Sequence, residues 1–392
     1  MITSGTKIGS IEGTRGVAAF IVLLSHLSLT FFPYLHSFEV SPDSQYYIQN
    51  ILHNSPFAFS YSGTFAVYVF FVLSGYILTH VASKKNFYEF AVMFLKRYPR
   101  LMIPATISCV LAYVAFNTPF LSCKTMLTDW IREYGDFNYT FIGAVYNGVI
   151  ESFIIGKSAY NPVLWTIHIE LIGSFFIFGL CFLEKFNLFN IRGLFVLHSG
   201  LIICLTGMAL FTNEQIGLGL IAFMAGQLLY CAKIRIVPGL SIAIFLIGIY
   251  LAGAHNDSFS YSWLIFILGN KTYTICNFLS GILVVYSIIL NERLSDLFSK
   301  RMFIVMGKLS FSVYLIHLPI ISTIGVFAFS KAYSFIDYNG AAVLACSIVI
   351  LFTYMMANVF YIFVEQPGLM ISHKLSESIV SFFSYGYNAA ED

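Results

Sequence analysis

Charge is scarce in this chain. Of 392 residues only 21 are Lys or Arg and 19 Asp or Glu, about 10% in all, where soluble domains carry roughly 25%. Too few charges remain to cover the surface of a soluble globule, which excludes that class. Basic runs are also missing: no stretch of Lys or Arg exceeds two residues and the net charge is only +2, so no nucleic-acid partner is expected. Paired cysteines are lacking as well. Cys109, Cys123, Cys181, Cys204, Cys231, Cys276 and Cys346 make an odd seven, scattered singly without CxxC spacing, which excludes a disulfide frame and points to small core hydrophobes.

What is present is apolar length. Residues of the hydrophobic set make up 58% of the chain and aromatics 18%. A spanning helix needs about 20 mostly apolar residues, and ten such stretches are expected near 15–35, 61–82, 99–119, 163–183, 193–212, 215–232, 236–254, 272–290, 309–330 and 340–364. The predicted fold class is an all-α, polytopic membrane bundle of about ten spans, in contact with membrane lipids. The first span runs into Phe31-Phe32-Pro33-Tyr34 with no small-residue cleavage site, so it is read as a retained helix. Placing the N-terminus in the cytoplasm leaves only Lys124, Arg132, Lys157, Lys271 and Lys331 outside and the other sixteen basic residues inside. That asymmetry predicts both termini on the cytoplasmic side. One membrane domain is expected over residues 1–370, followed by a short cytoplasmic tail, 371–392, that carries an interfacial helix.

Ionisable side chains inside a span are costly, about 2.5 to 3.5 kcal/mol on insertion scales, and each is a functional candidate. Arg15 and His26 are eleven residues apart in the first span, about three full turns, so they share a helix face with an axial offset of about 16 Å. Taken singly, Arg15 reads as a snorkelling anchor and His26 as a satisfied interior histidine. Arg97 and Arg100, with Lys96 beside them, stand in FLKRYPRLMIP at the inner mouth of the third span; with Pro99 in the first turn, two guanidinium forks at a helix N-terminus suit a phosphate. Any cytoplasmic loop also collects such residues. Glu170 lies about seven residues into the fourth span, two beyond His168; that spacing turns the pair about 200° apart and argues against a metal site. His317, before Pro319, is a further buried histidine. Glu365 reads as a boundary charge before Pro367, and the Gly and Ser of FFVLSGYILT as helix-packing residues.

In order along the chain, IEGTRGVAAFIVLLSH, VFFVLSGYIL, KRYPRL, LWTIHIE, KLSFSVYLIH and VEQP resemble the signature blocks of the membrane acyltransferase-3 family, polytopic O-acyltransferases that modify bacterial surface glycans and some other acceptors. The resemblance spans almost the whole chain. It implies His26 as general base or transient acyl carrier, with Glu170 orienting it or binding the acceptor. It further implies Arg97, Arg100 and Lys96 as holders of the donor's phosphates, Arg15 as a second donor contact, and Trp165 and His317 as substrate contacts. The implied donor is acetyl-CoA or another acyl-CoA; the implied acceptor is a glycan or lipid-linked glycan of O-antigen, capsule or another envelope polysaccharide. The implied location is the bacterial inner membrane, and no metal is expected. Relatives often carry two adjacent carboxylates after the Trp block, whereas Glu170 is followed by Leu171. Some relatives add an SGNH-type hydrolase domain, and here the resemblance implies a stand-alone member.

Three other readings compete. A transporter or flippase of a glycan or lipid-linked intermediate would use the same buried charges. A glycan polymerase would need large basic external loops, and the other large class of polytopic acyltransferases an Asn-plus-His core that is not found.

Overall fold

The computed structural model describes residues 4–37, 47–117, 127–134, 138–185, 191–232 and 236–388. Lys124, Lys233 and Arg235 of the charge count lie outside the described residues. The described chain is helical throughout, without a strand. Its principal helices are α1 (Ser4–Phe31), α2 (Gly63–Ala82), α3 (Phe87–Phe116), α4 (Asp129–Glu133), α5 (Trp165–Lys185), α6 (Ile191–Phe211), α7 (Glu214–Ala232), α8 (Pro238–Ala252) and α9 (Thr272–Leu290). They continue with α10 (Arg301–Lys308), α11 (Ser310–Ile320), α12 (Val326–Tyr333), α13 (Tyr338–Phe360) and α14 (Gln366–Asn388).

Among the described residues, eight helical segments are long and apolar enough to cross a membrane. The other two expected spans are shorter apolar helices, Val196–Phe211 and Pro238–Ala252. At about 1.5 Å per residue the second reaches only about 22 Å, short of a bilayer's hydrocarbon core of about 30 Å.

Two boundaries differ from the sequence expectation. The third span begins at Phe87 rather than Pro99, because Asn86 and Glu89 form a reciprocal capping box that starts the helix twelve residues earlier. Pro99 and Pro104 therefore sit inside a continuous α3, as membrane helices tolerate where neighbouring groups satisfy the freed carbonyls. Pro367 likewise fails to end its helix. A π-helical turn, Tyr361–Glu365, precedes it, and this wider turn takes up the misfit of the ring. The chain then continues as α14, which packs along α3 and takes up the expected tail helix as far as Asn388; residues 389–392 lie outside the described residues.

Close backbone contacts hold the centre. A Cβ on Gly226 would stand 2.0 Å from the carbonyl oxygen of Val72, and one on Gly75 1.9 Å from that of Phe223. Only glycine lets α2 and α7 approach so far. On its other side α1 lies against the stretch 298–307, where a Cβ on Gly16 would stand 2.5 Å from the Gly307 nitrogen and one on Gly307 2.0 Å from the Glu12 carbonyl oxygen. That contact fixes the rotation of α1, and so the direction in which Arg15 and His26 point.

The end of the bundle opposite Arg15 is closed by a histidine cluster in the connecting segments. His53 Nδ1 donates to the Leu35 carbonyl at 3.0 Å and its Nε2 stands 3.2 Å from the Asp257 carboxylate. The His255 ring lies 4.9 Å from that of His53 and also packs on His36, Tyr61 and Tyr273. Burial, followed by the neighbouring His53, pulls His255 down to about 4; burial, followed by His255 and His53, pulls His36 down to about 3. The unfolded chain therefore binds more protons than the folded one between about pH 6.5 and 4, so stability present at neutral pH is lost as pH falls through that window. Wild-type protein in lipid discs is expected to lose up to about 3 kcal/mol per such histidine. Melting temperatures at pH 7 and pH 4.5 check this: the His255→Gln variant should show a smaller drop than wild type.

Candidate functional site

The site is built on a charged cavity of about 380 Å³ between α1, α2, α3, α5, α10, α11 and the π-helical turn before α14, a size within the usual range for small-molecule sites. Arg15, Arg97 and Arg100 all line it, as does Glu170. Arg97 and Arg100 project from the middle of α3, not from a helix N-terminus as expected, so backbone N–H groups take no part there. Lys96 and Trp165 do not line the cavity, nor do His26 and His317.

Arg97 is buried, and its guanidinium is consumed by internal partners. Its Nη2 donates to Glu170 Oε1, while its Nε donates to Ser174 Oγ at 2.7 Å. Ser74 Oγ, from the Ser-Gly pair of α2, donates to the same Glu170 oxygen at 2.8 Å. One ion pair thus ties α3 to α5 and α2. The spacing argument for residue 168 holds: His168 turns away from Glu170 and bonds the Phe153 carbonyl at 2.6 Å. Among the described residues, no group of three or more His, Cys, Asp or Glu is arranged to hold a metal.

The remaining cavity charges are less committed. Arg15 is 3.6 Å from Glu12 on its own helix. Arg100 and Lys308 have no ion-pair partner among the described residues, and both are exposed at the cavity mouth. Glu365, expected as a boundary charge, lines the cavity and accepts from Ser312 Oγ at 2.6 Å. With four cationic and three anionic side chains on its wall, the cavity carries a net positive charge that favours an anion.

His26 and His317 lie one layer deeper and meet each other. Their Nδ1 and Nε2 atoms are 3.0 Å apart across the α1–α11 contact. The His26 ring stacks on Trp130 of α4 with centroids 5.6 Å apart and planes 20° apart. Tyr314 touches both the cavity and the pair: it lines the cavity, its ring lies 5.9 Å from that of His317, and its hydroxyl bonds Thr166 and the Val163 carbonyl, each at 2.6 Å. Sequence reasoning missed Ser74, Trp130, Ser174, Lys308, Ser312 and Tyr314. The serine of SGYIL carried a packing signal only, those of SFSVYLIH and GSFF carried none, and Trp130 lies in a connecting segment with no periodicity.

A bundle of apolar helices around an inward-lying ionic cavity defines an integral membrane protein with a built polar site. The profile of the acyltransferase-3 family, described as an acyltransferase domain, matches residues 8–358. The chain belongs to that family. No curated protein and no solved structure matches it.

Breaking one partner of a buried pair leaves an uncompensated charge, typically at about 3–5 kcal/mol, whereas replacing both with apolar groups is far less disruptive. Arg97→Leu and Glu170→Leu are each expected to lower the melting temperature strongly, and the double variant to recover most of that loss. Thermal unfolding of the four proteins in one lipid mixture checks the cycle.

Proposed function

We propose that this membrane acyltransferase moves an acetyl group from cytoplasmic acetyl-CoA to a sugar hydroxyl of a glycan or lipid-linked glycan of the envelope, such as O-antigen or capsule. In this reading it sits in a bacterial inner membrane with both termini inside. The observation that carries the donor assignment is the cavity mouth. Arg100 and Lys308 stand there without ion-pair partners among the described residues, beside Arg15, as a polyphosphate requires. Arg97 contributes mainly through Glu170, and Lys96 plays at most a long-range electrostatic part because it is off the cavity wall.

Arg15 and His26 are offset by about 16 Å along α1. A donor held by its anionic head at Arg15 can present an acyl group to His26 only through a long flexible arm, which is the shape of acyl-CoA. The bonded path between cavity and histidines is α11, whose Ser310, Phe311 and Tyr314 line the cavity while His317 follows one turn later.

In the reaction, His26 takes the proton of the acceptor hydroxyl as that oxygen attacks the thioester carbonyl carbon. The new C–O ester bond forms, the C–S bond breaks, and the electron pair leaves with sulfur. The imidazolium proton then passes to the thiolate, giving free CoA thiol and the neutral base. Trp130, stacked on the His26 ring, offers an apolar face to the ring of a sugar. Trp165, partly buried against the core, acts from behind the site. Membership in an acyltransferase family weighs against the transporter reading, since a carrier consumes no thioester.

Purified protein in lipid discs, given acetyl-CoA and candidate envelope glycans, is expected to release free thiol only when the acceptor is present. The His26→Ala protein should release none. Arg100→Ala should raise the KM for acetyl-CoA about tenfold, corresponding to about 1.4 kcal/mol of lost binding, with kcat little changed. Undiminished release by His26→Ala would remove the base assignment, and failure of acetyl-CoA to bind would remove the donor.

A further inference from the structure

Both histidines of the pair face backbone carbonyls that can only accept hydrogen bonds. His317 Nδ1 is 3.0 Å from the Val313 carbonyl oxygen, and His26 Nδ1 is 3.0 Å from that of Val22. Each Nδ1 must therefore carry the proton. In a neutral ring that leaves the His317 Nε2 with a lone pair, and it is this atom that lies 3.0 Å from His26 Nδ1. The His26 Nδ1–H is shared between the Val22 carbonyl and the His317 lone pair. Reversing the direction would place two lone pairs, on His26 Nδ1 and Val22 O, against each other. One arrangement satisfies every contact, and it leaves the lone pair of His26 on Nε2, which has no hydrogen-bond partner among the described residues.

We infer that His317 is a positioning residue: it fixes the tautomer and ring plane of His26 so that Nε2 is the basic atom. This assignment rests on the reading of His26 as general base, and it replaces the substrate contact expected for His317 from the sequence. The geometry supports it in two ways. His317 is fully buried, with both ring nitrogens engaged, and it does not reach the cavity. When His26 becomes imidazolium, its Nδ1–H already points at a neutral acceptor, which strengthens as the donor gains charge. An imidazole here does what a carboxylate does in a serine-hydrolase triad, orienting the base through its second nitrogen, without placing a fixed negative charge inside the membrane.

The test is steady-state kinetics of His317→Leu and His317→Gln in lipid discs, with melting temperatures alongside. A glutamine amide oxygen can accept from His26 Nδ1–H where leucine cannot. The expected result is a fall in kcat of about 100-fold or more for His317→Leu, KM for acetyl-CoA and acceptor within threefold of wild type, and at least tenfold recovery of kcat in His317→Gln. A raised acceptor KM with unchanged kcat would overturn the inference in favour of a substrate contact, and equal loss in the leucine and glutamine variants would overturn the hydrogen-bond role. Should the leucine variant fail to fold, 15N NMR of histidine-labelled wild type decides: both histidines should be Nδ1-protonated, and an Nε2-protonated His317 would sink the proposal. The separate His26→Ala assay keeps the two readings apart, because activity there removes the base itself whatever His317 does.

Discussion

A guanidinium taken into a membrane bundle must be neutralised where it sits, and the organisation of this protein's charged half follows from how Arg97 meets that demand. Its partner Glu170 is on another helix, and the hydrogen bonds that complete the carboxylate and the guanidinium come from Ser74 and Ser174. Three helices are thereby locked in one rotation. Because Arg97 is buried in this network, Arg100, one turn further along α3, is turned to the cavity mouth with no ion-pair partner among the described residues. The Arg97–Glu170 pair thus sets the direction of the uncommitted charge beside it. A buried ion pair adds little net stability, and its better-attested use is to specify one arrangement over others.

The glycine contacts solve the complementary problem of distance. With Gly75 and Gly226 at backbone contact, α2 and α7 leave no room between them, and the cavity opens beside that contact, where Val67, Phe70, Phe71 and Ser74 meet it. The SG pair of FFVLSGYILT therefore has two functions one residue apart: Gly75 closes one side and Ser74 supplies a hydroxyl to the other. Adjacent residues on a helix point about 100° apart, which makes this division possible.

Much of this was legible before the fold was known. Apolar runs located the spans, since backbone hydrogen bonding in lipid leaves helices as the simplest solution. The cost of buried charge singled out Arg15, Arg97, Arg100 and Glu170, all of which line one cavity. Where reading failed, a local rule was overridden by its neighbours. Pro99 looked like a helix start because proline suits a first turn, but the Asn86–Glu89 capping box outweighs it. Pro367 looked like a stop, and a π-helical turn absorbs it. No periodicity could reveal that His26 would meet His317, 291 residues away, because that contact depends on the Gly16–Gly307 approach that fixes the rotation of α1. Trp130 was invisible for the same reason, being placed by contact with α1, where Thr128 bonds the Leu29 carbonyl at 3.1 Å.

The two sides of His26 differ in kind, and in the proposed function that difference bears on how one base could serve two unlike substrates. Along α1 toward Arg15 the surroundings are ionic, with Arg15, Arg100 and Lys308 on a shared wall. Against its ring face they are aromatic and neutral, with Trp130 stacked on the imidazole. A polyanionic donor gains nothing from the second environment, and an uncharged polyol loses nothing there, because indole stacks on the C–H face of a sugar without needing a counter-charge. Between them stand His26 and His317, neutral and with one hydrogen-bond direction in the arrangement inferred above, and among the described residues no carboxylate forms an ion pair with either. Coulomb interactions strengthen as the dielectric falls, so a fixed anion at this depth would compete with the phosphates for the same arginines. In the proposed reaction, an uncharged base and partner leave the cationic wall free for the donor and confine charge separation to the moment of proton transfer.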